Sequence, residues 1–191
     1  MKVDEIIREA VEKIGGKWKA DRDGGFWEAE ENGFVIQAEP FLRNRPSGQV
    51  WVGIDCSVSH KEFAKVANFI MKERPKNFVS LRWFQKSAEV ASIEQTPAAF
   101  SGLMEDVLAE LKAEQIGRII DEFRSNRPDG PSMPQVCHLA ALACSKDSST
   151  LEGYQDEFAA GGRLNFVPMI NKAMIDRALE IAQKKGTDLF N

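Results

Sequence analysis

Tyrosine occurs once in this 191-residue chain, histidine twice and cysteine three times. With only His60 and His138, little side-chain chemistry titrates near neutral pH. Cys56, Cys137 and Cys144 are too few, and odd in number, for a disulfide scaffold, and they fit free thiols in a reducing compartment. Basic charge is short as well: 25 Lys and Arg stand against 29 Asp and Glu, for a net charge of -4. That balance argues against nucleic acid as the main ligand, because phosphate binding needs clustered cations. No apolar run is long enough to span a bilayer, and Met1 to Ala10 carry acids where a signal peptide would be apolar. The expectation is a cytoplasmic protein without cofactor, metal, membrane or nucleic-acid partner.

What is present is unevenly distributed. All four tryptophans, Trp18, Trp27, Trp51 and Trp83, fall in the first half, where alternating segments also cluster. Apolar content of 43% and charged content of 28% are ordinary for a globular chain that buries a real core. Val3, Ile6, Ile7, Ala10, Val11 and Ile14 recur at helical spacing and predict a helix over 3–14, ended by Gly15-Gly16. Trp18 opens a short strand, residues 21–25 make a turn, and 26–30 return as its partner. Asn32-Gly33 is a strong hairpin signal leading into a strand over 34–41. A polar loop, 43–48, precedes a strand over 49–57.

Ser59 and Glu62 have capping-box spacing, with the helix running to about Arg74 and stopped by Pro75. A strand over 77–85 follows, with 88–95 as its hairpin mate. Thr96-Pro97 predicts a helix start, and Phe100, Leu103, Val107, Leu108 and Leu111 form its apolar stripe. The stripe changes phase before Ile116, Ile119, Ile120 and Phe123, so a break is expected near 112–115. Residues 126–134 hold three prolines and one glycine and make the best boundary between a sheet module (1–125) and a helical extension (135–191) packed on it. Helices are expected at about 134–146, 149–160 and 167–185. The fold class is α+β: an antiparallel sheet of about five strands in the order α-β-β-β-α-β-β-α, with a C-terminal helical extension.

That element order, together with the acidic balance, resembles small acidic bacterial secretion-chaperone-like domains. The resemblance covers about two thirds of the chain and rests on no motif. It implies a role in binding another protein.

Strand alternation sorts the sheet into two faces. Val50, Val52, Ile54 and Cys56 mark the core side of their strand, which leaves Trp51 and Asp55 outward. Phe34, Ile36 and Ala38 are expected inward, with Val35, Gln37 and Glu39 outward; Trp27 and Ala29 are inward, with Phe26, Glu28 and Glu30 outward. In the next strand Val79, Leu81 and Trp83 suit the core, and Phe78, Arg82 and Phe84 the opposite side. The outward face is then rich in aromatics rimmed by charge, which marks something covered or bound. Either the C-terminal helices cover it or a partner protein does. Trp51, Phe26, Phe84, Arg82 and Glu39 are the candidate partner-binding residues.

Other constellations read more simply. Cys56 alternates with core residues, so a nucleophilic pair with His60 is disfavoured. Cys137 and Cys144 share a helix face with Ala140 and Ala141, a packing stripe rather than a zinc site, and His138 lies off that face. Arg43 and Arg45 could grip a carboxylate or phosphate through their planar forks, or form a solvated hairpin tip. Gly161-Gly162-Arg163 suits a chain reversal better than an anion nest, and Tyr154 reads as a packing aromatic. The leading expectation is a non-enzymatic intracellular protein-binding module, such as a toxin-immunity or inhibitor protein or a chaperone for a secreted effector; a homodimer is compatible with it. The alternative is an enzyme or small-molecule binder using a crevice between sheet and helices, with His60, His138, Arg82 or Arg163 as its polar groups.

Overall fold

The structure is a computed structural model. It describes residues 3–13, 18–20, 26–46, 48–74, 76–130 and 132–184, with the backbone alone for 3, 4 and 11–13. Their elements are α1 (Val3–Lys13), β1 (Lys19–Ala20), β2 (Trp27–Glu31), β3 (Phe34–Asn44), β4 (Val50–His60), α2 (Lys61–Met71), β5 (Arg82–Val90), a 3-10 turn (Ile93–Gln95), α3 (Thr96–Ala113), α4 (Ile116–Ser125), α5 (Ser132–Cys144), α6 (Ser148–Ala159) and α7 (Lys172–Gln183). The five strands form one antiparallel sheet in the order β1-β2-β3-β4-β5, as an α+β chain with C-terminal helices requires. One strand, not two, follows α2: residues 82–90 pair with β4, and 93–95 are a 3-10 turn. The expected helix stop at Gly15-Gly16, the turn at 21–25, Pro75 and the expected stop at Lys185-Gly186 lie outside the described residues; α7 starts at Lys172, later than the expected 167, and ends at Gln183 with Lys184 extended at its C-cap.

The chain forms two compact units, neither of them contiguous. The first comprises residues 1–58 and 82–114, the second residues 59–81 and 115–191. Residues 126–134, expected between two modules, lie within the second unit, and 132–134 already form the start of α5.

In the first unit, one face of the sheet builds the core. Ala29, Phe34, Ile36, Ala38, Val50, Val52, Ile54, Cys56 and Val58 are buried, as are Ile6, Ile7 and Ala10 of α1 and Phe100, Met104 and Val107 of α3. α1 and α3 pack on each other and against the sheet, and Trp18, just ahead of β1, is buried with this set. The β2–β3 turn takes left-handed backbone at both Asn32 (φ 51°) and Gly33 (φ 80°), the geometry that lets a two-residue hairpin follow the strand twist.

The phase of β5 differs from the expectation. Val79 and Leu81 are buried as expected, but neither belongs to the strand. Cys56 opposes Phe84 and Val58 opposes Arg82, so Phe84, Arg82 and Lys86 lie on the inner face, and Trp83 on the outer one. Alternation extrapolated from Val79 and Leu81 fails because they precede the strand. The two cations carried inward meet α3: Arg82 donates to Glu114 at 2.6 Å and Lys86 to Glu110 at 2.5 Å. Inward charges of this kind protect a sheet edge from pairing with another strand.

In the second unit α5 is the centre, packed by α2, α4, α6 and α7. Every residue from Gln135 to Ala143 is buried, which its alanines permit by letting neighbouring helices approach closely. α2 starts directly from β4: His60, with extended backbone, stands at its N-cap and no side chain caps it. The expected Ser59 capping box does not form, since Ser59 is still strand. Its C-terminus closes on Lys72 in left-handed conformation, whose N–H donates to Asn68 and Phe69 carbonyls. Asp147 and Asn171 cap α6 and α7 through the N–H groups of Thr150 and Met174.

The two rungs between β5 and α3 differ in exposure, Glu114 being 14% exposed and Glu110 59%. Glu114→Gln is expected to lower the unfolding free energy by about 1 kcal/mol. Glu110→Gln is expected to change it by no more than about 0.5 kcal/mol. Urea unfolding of both variants measures the difference.

Candidate functional site: the outer face of the sheet

The outer face follows from register. On β4 and β5 the opposed pairs Trp51–Glu89, Gly53–Ser87, Asp55–Gln85 and Ser57–Trp83 point away from the core, and on β2 and β3 so do Glu28–Gln37 and Glu30–Val35. The face is polar along much of its extent: Gln85 donates to Asp55 at 2.7 Å and Gln37 to Glu28 at 3.4 Å. Trp83 interrupts that polarity. Its side chain is 65% exposed, and its cross-strand neighbour Ser57 is too small to cover an indole.

At the end of the face near residues 45–49, aromatic and cationic groups interleave. A Cβ on Gly53 would fall 2.1 Å from Cζ of Phe41, so the Phe41 ring rests directly on the Gly53 backbone. That ring meets Trp51 edge-on, centroids 6.4 Å apart with an 82° interplanar angle. The Arg43 guanidinium stands 5.0 Å from the Phe41 centroid, and Arg45 stands 4.8 Å from Trp51. Arg45 also pairs with Glu89 at 3.6 Å. Each exposed cation–π contact contributes roughly 0.5–1 kcal/mol, so Arg43 and Arg45 are held as planar forks over a rigid aromatic floor.

The structure therefore joins Trp51 to Arg43 and Arg45, and it leaves Glu39 exposed on the same face. Phe26 sits just ahead of β2 and is half-buried. Arg82 and Phe84, expected outward, are on the core side for the reason of phase given above. Two residues of the face were not anticipated. Alternation from Val79 and Leu81 puts Trp83 in the core, and Phe41 carries no local signal of its own, although a glycine inside an apolar strand is itself a sign of close approach by another group.

The remaining candidates are absorbed locally. Burial pushes the Cys56 and Cys137 thiols up to about 12, and Cys144 likewise, so none is a thiolate at neutral pH. His60 is buried, and loss of solvation lowers its pKa. His138 lies 2.7 Å by Nδ1 from the Phe123 carbonyl and 3.1 Å by Nε2 from the Tyr154 hydroxyl. A carbonyl only accepts, so Nδ1 carries the proton and Nε2 accepts from Tyr154. Arg127 hydrogen-bonds Tyr154 in turn, and Tyr154 packs edge-on against Phe166. Gln135, 1% exposed, donates to the Pro128 carbonyl and accepts from the Val167 N–H. Arg163 donates to the Val167 and Ile170 carbonyls at 2.9 and 2.8 Å, which closes the chain reversal before α7. Among the described residues no group of three His, Cys, Asp or Glu side chains could hold a metal ion. None of their helices is long and apolar enough to cross a membrane.

These features define an α+β protein with an aromatic and charged sheet face and a separate helical unit. Residues 3–183 match a family of unknown function (DUF6990), and the chain belongs to that family. No curated protein and no solved structure matches it.

Two measurements test this geometry. Gly53→Ala is expected to cost about 1–3 kcal/mol by displacing the Phe41 ring, and the cost should shrink in a Phe41→Ala background in a double-mutant cycle. His138 has its pKa lowered below 6.5, chiefly by burial. The folded state thus refuses a proton that the unfolded chain accepts, and stability is expected to fall as pH drops below about 6.5. The His138 ring signals in NMR should titrate with a midpoint below that value; a midpoint above it would contradict the assigned tautomer and burial.

Proposed function

We propose that the protein is a non-enzymatic, intracellular protein-binding module of bacterial type, acting as a toxin-immunity or inhibitor protein or as a chaperone for a secreted effector. The observation that carries the reading is Trp83, 65% exposed on the same sheet face as the Phe41–Trp51–Arg45 stack. Exposing an indole to water forgoes its burial free energy, and tryptophan and arginine are the commonest anchors of protein interfaces. Support also comes from the remaining reactive groups. Both histidines are buried, the cysteines are protonated, and Arg163 is spent on loop carbonyls.

The test is co-purification from the native host with wild-type, Trp83→Ala and Trp51→Ala chains as bait. One protein should be recovered by the wild type and fall about tenfold or more with Trp83→Ala, as for an interface anchor. Equal recovery by all three baits would count against the outer face as the interface.

A further inference from the structure

We propose that the outer sheet face around Trp83 docks a basic segment of a partner protein, with an arginine or lysine of that segment lying on the Trp83 indole and its charge met by Asp55. The inference rests on the protein-binding reading above and adds the chemistry of the partner. Its basis is a segregation of charge. Across outward positions 28 and 30 of β2, 35, 37 and 39 of β3, 53, 55 and 57 of β4, and 83, 85 and 87 of β5, the ionisable residues are Glu28, Glu30, Glu39 and Asp55; Lys19 of β1 is outward too, opposite Glu28, at the sheet edge farthest from β5. At the named positions of β2 to β5 there is no lysine or arginine. The cations of β5 are turned inward onto Glu114 and Glu110. Arg43 and Arg45 lie at the other end of the face, stacked on Phe41 and Trp51. On β4 and β5, and on β3 as far as Glu39, the outward charges around Trp83 are therefore acidic, in a chain whose net charge is -4.

An exposed indole amid acids is matched best by a cation with a planar or alkyl body, because the ring face attracts positive charge and carboxylates complete the recognition. Trp83 opposes Ser57, so Asp55 is its diagonal neighbour across the strands. Such positions are roughly 7–8 Å apart, within the span of one arginine side chain. Gln85 fixes Asp55 by donating to Oδ1, and a carboxylate keeps further acceptor capacity for an incoming guanidinium. A second copy of the chain would bring the same acidic surface, and nucleic acid would be repelled. A basic polypeptide segment is the occupant that the charges favour.

The test uses the full chain with nitrogen-15-labelled indoles, titrated with octa-arginine and, as a control, octa-glutamate. Trp83→Phe identifies the Trp83 indole signal. Octa-arginine is expected to shift that signal and octa-glutamate to leave it in place. Trp83→Ala, which removes no charge, should weaken octa-arginine binding about two- to fivefold, and Asp55→Asn with Glu39→Gln should weaken it as well. Circular dichroism checks that each variant is folded. A Trp83 signal that stays still, or equal octa-arginine affinity in Trp83→Ala, would overturn the proposal, the latter by reducing the binding to net charge. Loss of binding in Arg43→Gln with Arg45→Gln would overturn its location. Should a host protein depend on Trp83 while octa-arginine fails to bind there, the basic-segment inference falls and the protein-binding reading stands.

Discussion

The phase of β5 is the constraint on which the functional reading depends. Cys56 opposite Phe84 places every even-numbered side chain of the strand inward and every odd-numbered one outward. The strand sits at the sheet edge and packs its inward side on α3, where the chain places Arg82 and Lys86 against two carboxylates one helical turn apart. This arrangement fixes the strand against the helix. It also keeps the cations of β5 off the outer face and turns Trp83 to solvent. A slip of one residue would exchange the two sets, leaving an indole against Glu114 and two cations on the outer face.

In the second unit the corresponding constraint is a helix with no solvent side. A helix buried all round must satisfy every polar group it carries, since an unmet hydrogen bond there costs about 1–3 kcal/mol. α5 carries Gln135 and His138. Both are used to tie loops: Gln135 bridges 128 and 167, and His138 links the end of α4 to α6 through Tyr154. The polar residues that first suggest chemistry are the ones that position the segments around the central helix.

Much of the sheet was legible because its strands are half-buried and alternate cleanly. Phe34, Ile36 and Ala38, and Val50 through Val58, declare their inner face, and Asn32-Gly33 declares the turn between two strands. From the same alternation Trp51 emerged as an outer residue. Trp83 did not, because Val79 and Leu81 are buried in a segment that precedes the strand, and burial without regular backbone carries no period. The Ser59 capping pattern misled for a related reason. The strand register holds His60 extended, at φ -129° and ψ 129°, so the helix begins one residue too late for Ser59 to act as its cap. The contacts of Gln135 and His138 are between segments distant in sequence, and no local pattern encodes them. The division into units was equally hidden, since the short helix after β4 carries no mark of which unit it joins.

That division has a bearing on how the protein comes to be folded. Residues 59–81 belong with residues 115–191 although β5 and α3 intervene in sequence. On a growing chain, α2 leaves the ribosome with an apolar stripe that includes Phe63, Val66 and Ile70, long before α5 and α7 exist to cover it. Until they do, that stripe is open to the wrong neighbours, and its closure requires contacts across many tens of residues, the kind that form slowly. The order of synthesis and the order of packing are therefore at odds in this chain, and the interval between them is when it is most exposed to aggregation.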